Sequence, residues 1–488
     1  MSRPSGFLLA ALVFVVLFGG CGGTEPSHSF VGLDKNGFVA GGERFFPKAV
    51  NYIACLRTDG KEVWMAPSTS YASHVPGRMD LAADSLQLRA DLQLIRDMGF
   101  NTVRVVGFAE QAFDSAAIML RARDRSDSLV WLSIEDEQGR EKYLGALTTL
   151  IGAVRAAGLR CILLTQVRPY TPATEHHFAL VADHFVNDTV ILAYDLFNEP
   201  LYFDRPERPK EEAWAILQRW RALFDEHAPN HLYTLGLTGI RETFEFDPNM
   251  LTVDFISYHP YEYEPDQVRN ELRWYANNVD VPWIIGETAI PADNDSVPYA
   301  DQEEFARKTL LQSRACGAIG YSWWQFQDVK WGRFHADYMG VLNREGVSVT
   351  SVGDTVFGTR KPVAGALKGF DPWTGAGECL CLPNYLNYSD GRVSKVSGRL
   401  VDEHGVPINE GTVIAWNEVW NESYHTTSGS DGRFELRAPI WLHHWMASAS
   451  RYSMDRGDCD PNAMVRSADG VPGYELGDIR LDRLDFVP

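Results

Sequence analysis

Two glutamates, Glu199 and Glu287, occupy the same kind of place 88 positions apart (287 − 199). Glu199 follows the mostly apolar run Ile191-Leu192-Ala193-Tyr194-Asp195-Leu196-Phe197-Asn198 and is stopped by Pro200. Glu287 follows Pro282-Trp283-Ile284-Ile285-Gly286. Short apolar runs closed by turn chemistry read as buried parallel strands. Polar groups at the C-terminal ends of such strands face one mouth if the strands belong to one barrel. Two carboxyl groups across such a mouth are the apparatus of glycoside hydrolysis, which needs a proton donor, a nucleophile, water and no cofactor. A single strand-end glutamate is more simply a salt-bridge partner. The pair carries the reading.

The surrounding pattern supplies the barrel. Strands are expected at 48–52, 102–106, 161–165, 191–198, 232–237, 255–259, 282–287 and 318–324. Helical periodicity covers about 81–98, where Leu88, Leu92 and Ile95 fall at steps of four and three and Gly99 closes the run. Further helices are expected at 142–157, 175–185, 211–227 (apolar face Trp214, Leu217, Leu223), 267–276 and 302–316. No helix is evident between strands five and six. Residues 30–46 read as a hairpin lead-in, 110–122 as irregular or helical, and Val130-Trp131-Leu132 as an inserted strand. Eight strands alternating with helices predict the α/β fold class and a closed (β/α)8 barrel over 30–375. After a linker at 376–392, short evenly spaced strands separated by turns such as Ser430-Asp431-Gly432 predict a small all-β sandwich over 393–488. This stretch resembles carboxypeptidase regulatory-like, immunoglobulin-like modules. It carries no catalytic constellation and reads as a spacer or packing domain, with glycan binding the alternative.

Composition narrows the partner. A formal net charge of −20 repels phosphate backbones and argues against nucleic acid. It is compatible with a neutral polysaccharide or oligosaccharide. Residues 1–21 have the layout of a lipoprotein-type signal peptide. Arg3 is the charge of the n-region, and Phe7 to Phe18 form an apolar run too short to span a membrane. Gly19-Gly20-Cys21 resembles a bacterial lipobox, with Phe18 where leucine is usual. Cys21 is thus a candidate lipidation site, residues 22–29 a tether, and the lipid the only membrane contact; secretion after nearby cleavage is the alternative. Cys161 reads as a buried thiol, and no cysteine spacing suggests a metal site. Export permits disulfides, and the sequence leaves their connectivity open.

Asp195-Leu196-Phe197-Asn198-Glu199-Pro200 resembles the Asn-Glu-Pro signature of clan A glycoside hydrolases, closest in style to glycoside hydrolase family 5, the cellulase and mannanase family. The resemblance implies that Glu199 is the acid/base, Glu287 the nucleophile and Asn198 the ligand of the sugar 2-hydroxyl. It also implies that Arg104 and Tyr261 bond the nucleophile, that His259 bonds substrate or the acid, and that Trp324 floors the reactive subsite. By period-2 alternation Trp323 faces the helices. Many members carry a histidine near the end of strand three, where this chain has Thr165-Gln166-Val167-Arg168, so the glycan assignment stays open. Trp64, Tyr202, Phe203, Tyr263 and Trp331 are loop aromatics available to stack on sugars.

The expectation is a retaining hydrolase of a β-glucan- or β-mannan-type glycan, exported and lipid-anchored or secreted. A transglycosylase with the same residues, or a carbohydrate-binding protein with an inactive barrel, are the alternatives. Retention requires carboxyl groups about 5–5.5 Å apart, and about 9 Å would indicate inversion.

Overall fold

The computed structural model describes residues 29–74, 80–109, 118–166, 172–200, 208–262, 264–375, 377–382, 394–466 and 470–485. Cys21 and the signal segment lie outside them, as do Tyr202, Phe203 and Tyr263.

Eight strands, mostly apolar, form the barrel: β1 (Lys48–Thr58), β2 (Thr102–Val106), β3 (Arg160–Leu164), β4 (Ile191–Asn198), β5 (Leu232–Thr238), β6 (Phe255–His259), β7 (Trp283–Ile285) and β8 (Tyr321–Trp323). Each pairs in parallel with the next, and β8 returns to β1 through Tyr321↔Lys48 and Trp323↔Val50. Strands two, three, four, six, seven and eight are buried along their whole length, as strands covered on both faces must be. β8 is shorter than the expected 318–324.

Among the described residues the helices of eight residues or more are α1 (Leu81–Asp97), α2 (Glu137–Ala156), α3 (Pro172–His184), α4 (Lys210–His227), α5 (Gly239–Phe246), α6 (Pro265–Asn278), α7 (Tyr299–Ala315) and α8 (Pro362–Gly369). α5 corrects the expectation of no helix between strands five and six. It spans eight residues, too few for a periodic signal, and two of its glutamates, Glu242 and Glu245, are buried. In α4 the buried face is Ala213, Ile216, Leu217, Trp220 and Phe224, whereas the expected Trp214 and Leu223 are only half-buried.

Two additions shape the ends of the barrel. A three-stranded meander, Val31–Asp34, Gly37–Ala40 and Glu43–Phe45, plugs the N-terminal end. Its Val31 and Phe38 pack on Ile162, Leu192, Phe255 and Ile284, near the starts of the barrel strands. At the opposite end β1 runs on past the barrel and pairs with Val63–Pro67 and Met119–Arg123, the latter backed by Leu129–Ser133. This side sheet walls the mouth. Trp64 belongs to it, 3% exposed, with its indole Nε1 donating to Asp84 Oδ2 at 2.7 Å. It is a packed strand residue rather than a loop aromatic free to stack on sugar.

The C-terminal region is a sandwich of two four-stranded sheets. One contains β9 (Ser394–Val401), β12 (Arg433–Ala438), β15 (Val465–Arg466) and β16 (Pro472–Arg480). The other contains β10 (Thr412–Trp416), β11 (Ser423–Thr427), β13 (His444–Ser448) and β14 (Met454–Asp458). Their core includes Val396, Leu400, Val413, Phe434, Leu436 and Ile479. The second sheet lies against the barrel, and Ile414, Trp416 and Met446 join the barrel's own core. Trp274 Nε1 donates to Thr412 Oγ1 at 2.9 Å, and Lys210 Nζ bridges Asp247 Oδ2 (2.9 Å) and the Ala449 carbonyl (3.0 Å). The preceding segment is strapped to the barrel by a Cys316–Cys379 disulfide, the pairing the sequence left open. Arg273 Nη1 donates to the Cys379 carbonyl at 2.6 Å, and Cys161 is a buried free thiol.

One contact in this interface titrates. Glu262 accepts from Ser423 Oγ (2.5 Å) and hydrogen bonds to Glu271, which also accepts from Tyr258 at 2.5 Å. Burial pushes the Glu271 carboxyl up to about 7, and burial together with the Glu271 charge pushes Glu262 well above the ordinary range, so Glu262 stays the protonated member. A raised carboxyl is neutral in the folded protein where the unfolded chain has already ionised. Its contribution to stability is therefore present below the ordinary carboxylate range and is lost as pH rises to about 7. Glu271→Gln keeps a neutral partner for Glu262 and Tyr258. It should raise unfolding free energy at pH 8 by about 2 kcal/mol and leave pH 4 nearly unchanged, as read by urea titration. A variant as pH-sensitive as the parent would place the titration elsewhere.

Candidate active site

Arg104 is the central residue of β2, and its side chain has no solvent exposure. Val103 and Val105 on either side join the core, while the guanidinium enters the barrel. A buried charge costs several kcal/mol unless it is paired and fully hydrogen-bonded. Here Nε donates to Asp195 Oδ2 at 2.8 Å, Nη2 to Asn198 Oδ1 at 2.7 Å, and Nη1 to both Asn51 Oδ1 (2.8 Å) and Glu287 Oε1. One planar group thereby ties β1, β4 and the residue just past β7. Asn51 extends the tie, its Nδ2 donating to the Gly286 carbonyl (3.0 Å), Ser322 Oγ (3.0 Å) and the Trp323 carbonyl (3.2 Å).

Glu287 also accepts from the Tyr261 hydroxyl at 3.1 Å. Glu199 has a different setting. Its backbone takes φ 47°, left-handed and costly for a non-glycine residue, and its N–H donates to the Gly236 carbonyl at 2.9 Å. Its carboxyl meets His259 Nδ1 at 2.9 Å. The imidazole has room because its neighbours lack side chains. A Cβ on Gly286 would lie 1.9 Å from Ser257 Oγ and 2.7 Å from His259 Nε2, and one on Gly236 would lie 2.8 Å from His259 Cε1.

The electrostatics separate the two carboxyls. Burial pushes Glu199 well above the ordinary carboxylate range, and the charge of Glu287 pushes it further. Burial raises Glu287 too, but the Arg104 charge and the hydrogen bonds from Arg104 and Tyr261 pull it back. His259 is held well below its ordinary value by burial and by Arg104, so it stays neutral and adds no positive charge beside Glu199. Glu199 and Glu287 are thus fitted to be the protonated and the ionised member of one pair.

Glu199, His259 and Glu287 each offer a ligand atom within 4.8 Å of the others, a spacing a metal ion would accept. The Arg104 guanidinium already touches Glu287 and repels a cation there.

Two cavities meet at Asn198, Glu287, Trp324 and Trp331. One, about 370 Å³, runs along β1 to β3 past Ile53, Val106 and Leu164. The other, about 480 Å³, includes Glu199 and Tyr261 and extends to the sandwich. Trp324 lines both, while Trp323 packs against Phe305 of α7. Trp331 is 46% exposed at the rim. A further cavity, about 410 Å³, opens between α5 and the sandwich near Asp247 and contains neither carboxylate.

The structure therefore brings together Arg104, Asn198, Glu199, His259, Tyr261, Glu287 and Trp324. Sequence reasoning passed over Asn51, Asp195, Ser257 and the two glycines that clear space for His259. The available signal was a polar residue inside an otherwise apolar strand, as in Val50-Asn51-Tyr52 and Tyr194-Asp195-Leu196.

A closed (β/α)8 barrel with paired glutamates at the C-terminal mouth is an arrangement that glycoside hydrolases use. Residues 57–327 match the cellulase family, glycosyl hydrolase family 5, and the chain belongs to that family. Among solved structures it is similar to a family 5 mannosidase from Rhizomucor miehei, with 14% identity and TM-score 0.45, covering 70% of this chain and 96% of that one. It is also similar to a Bacteroides uniformis beta-glucuronidase, with 11% identity and TM-score 0.43, covering 92% of this chain and 48% of that one. The chain thus spans about half the length of the Bacteroides uniformis glucuronidases it matches. No curated protein matches it.

Asn51 holds Arg104 and the β7–β8 seam together, so Asn51→Ala strands several buried groups. Unfolding free energy in urea should fall by about 1–3 kcal/mol. A loss under about 0.5 kcal/mol, the range of neutral surface changes, would remove Asn51 from this role.

Proposed function

We propose that the protein is a retaining glycosidase that cleaves β-glycosidic bonds of a β-glucan- or β-mannan-type glycan by double displacement. The observation that carries this reading is the carboxyl pair itself: buried, with an oxygen of each within 4.8 Å of the other, and split in acidity by Arg104. That separation suits direct attack by one carboxylate. Inverting enzymes hold the groups about 6.5–9.5 Å apart to admit a water between them.

In the first step Glu287, kept ionised by Arg104 and Tyr261, attacks the anomeric carbon. Glu199 gives its proton to the departing oxygen. The new acyl bond joins the sugar to Glu287, and the glycosidic C–O bond breaks. In the second step Glu199, now a carboxylate, takes a proton from water, which displaces Glu287 and restores both groups. Asn198, oriented by Arg104, is placed to bond the 2-hydroxyl as positive charge grows on the ring. An inactive binding barrel would have no need of this split pair.

Glu287→Ala should lower turnover about 10⁴-fold or more on a panel of β-glucans and β-mannans. The pH profile should be bell-shaped, rate falling at low pH as Glu287 gains a proton and at high pH as Glu199 loses one. With both carboxyls raised, the acid limb should lie above the ordinary carboxylate range. Proton NMR of the first product should show the β-anomer, and first release of the α-anomer would sink the proposal.

Export with a lipid anchor at Cys21 completes the reading, supported by the apolar run Phe7 to Phe18 and by Gly19-Gly20-Cys21. Palmitate labelling of the expressed protein that persists in Cys21→Ser would refute it.

A further inference from the structure

The cavity on the Glu199 side is not walled by the barrel alone. Trp420, Asn421 and Ser423 of the sandwich line it, as do Trp331 and His335 of the segment after β8, His335 within a short helix, Phe334–Asp337. They lie at the turn between β10 and β11, and this turn is held firmly. Arg241 of α5 sits between two sandwich tryptophans, its guanidinium carbon 4.9 Å from the Trp416 ring centre and 4.4 Å from that of Trp420. Ser423 is fastened from below, its N–H and Oγ donating to Glu262 and its carbonyl accepting from Gln267 Nε2 at 3.1 Å. Glu262 directly follows Tyr261, the residue that bonds Glu287. Trp420 itself is half-buried and has φ 52°, a left-handed backbone that bulky residues seldom adopt. A strained, braced tryptophan at the edge of a cleft is an arrangement that packing alone does not call for.

The two cavities differ in which reacting group they contain. Glu287 and Asn198 line both, but Glu199 lines only the one that reaches the sandwich. A general acid must touch the departing oxygen, so the leaving group extends into the cavity on the acid's side. This assignment of sides rests on the hydrolytic reading above.

We propose that Trp420 is a binding platform for the leaving-group saccharide, and that the C-terminal sandwich is a structural part of the substrate cleft. The ligand is a β-linked pyranose whose apolar C–H face lies on the indole, as sugar rings lie on aromatic faces. Arg241, which also lines this cavity, holds the indole from one face and leaves the other as the stacking face. Trp331, exposed on the barrel side, forms the opposite lip.

The test uses the full chain and two readouts. The first is calorimetric binding of β-1,4-linked gluco- and manno-hexaose to Glu199→Gln, with and without Trp420→Ala or Trp420→Phe. Loss of one stacking face should weaken binding by about tenfold in Trp420→Ala, and Trp420→Phe should keep most of it. The second readout is turnover of β-glucosyl and β-mannosyl fluoride, whose leaving group offers nothing to stack. Here Trp420→Ala should match the parent, while its kcat/KM on the hexaoses falls about tenfold. Unchanged hexaose binding, equal loss on fluoride and hexaose, or no hexaose binding by any form would each overturn the platform. If the parent turns over neither fluoride nor hexaose but binds hexaose through Trp420, the hydrolytic reading and the leaving-group assignment fall, and Trp420 stands as a saccharide-binding platform.

Discussion

The buried guanidinium of Arg104 is the constraint around which the site is arranged. It has no exposure and must satisfy its donors inside the protein. Four acceptors do so: Asn51 on β1, Asp195 and Asn198 on β4, and Glu287 past β7. Moving any of these strands relative to the others would leave a charge stranded in the barrel. Register is thereby coupled to catalytic geometry. The interaction that pulls the Glu287 carboxyl back against burial also orients Asn198 beside Glu199, so one residue sets both the charge and the placement of these groups.

Glu199 is governed by what it lacks. It receives no donor from Arg104, and its histidine neighbour stays uncharged because it is buried and lies in the Arg104 field. The two glycines beside the imidazole complete this arrangement, since any side chain there would push His259 off the acid. Two carboxyls in one pocket acquire opposite tasks through the single cation that one of them touches.

Much of this was legible in the linear sequence. Strands buried on both faces appear as apolar runs, and a polar residue ending such a run is conspicuous, which exposed both glutamates, while Arg104 stood out in the middle of its own run. What escaped notice depends on distance or brevity. α5 is too short to show a period, and its buried Glu242 and Glu245 look like surface residues. In α4 the misread face reflects an ambiguity in which Trp214 and Trp220 both fit a helical stripe around Leu217, and only packing against Phe178 and Phe197 selects Trp220. Asn51 and Asp195 stood in plain view but had no partner until β1, β2 and β4 were side by side. The sandwich's approach to the cleft was illegible for a simpler reason: 133 positions (420 − 287) separate Trp420 from Glu287, and no local pattern spans such a gap.

The meander at the base of the barrel has a directional consequence. Ser29, the first residue described, offers its carbonyl to Arg160 Nη1 at 2.8 Å, at the foot of β3. Ser29 therefore lies at the pole farthest from the carboxyl pair. The opening lies at the other pole, like the mouth of a cup set on its base. A long polymer can therefore reach the carboxyl pair without passing the plugged base.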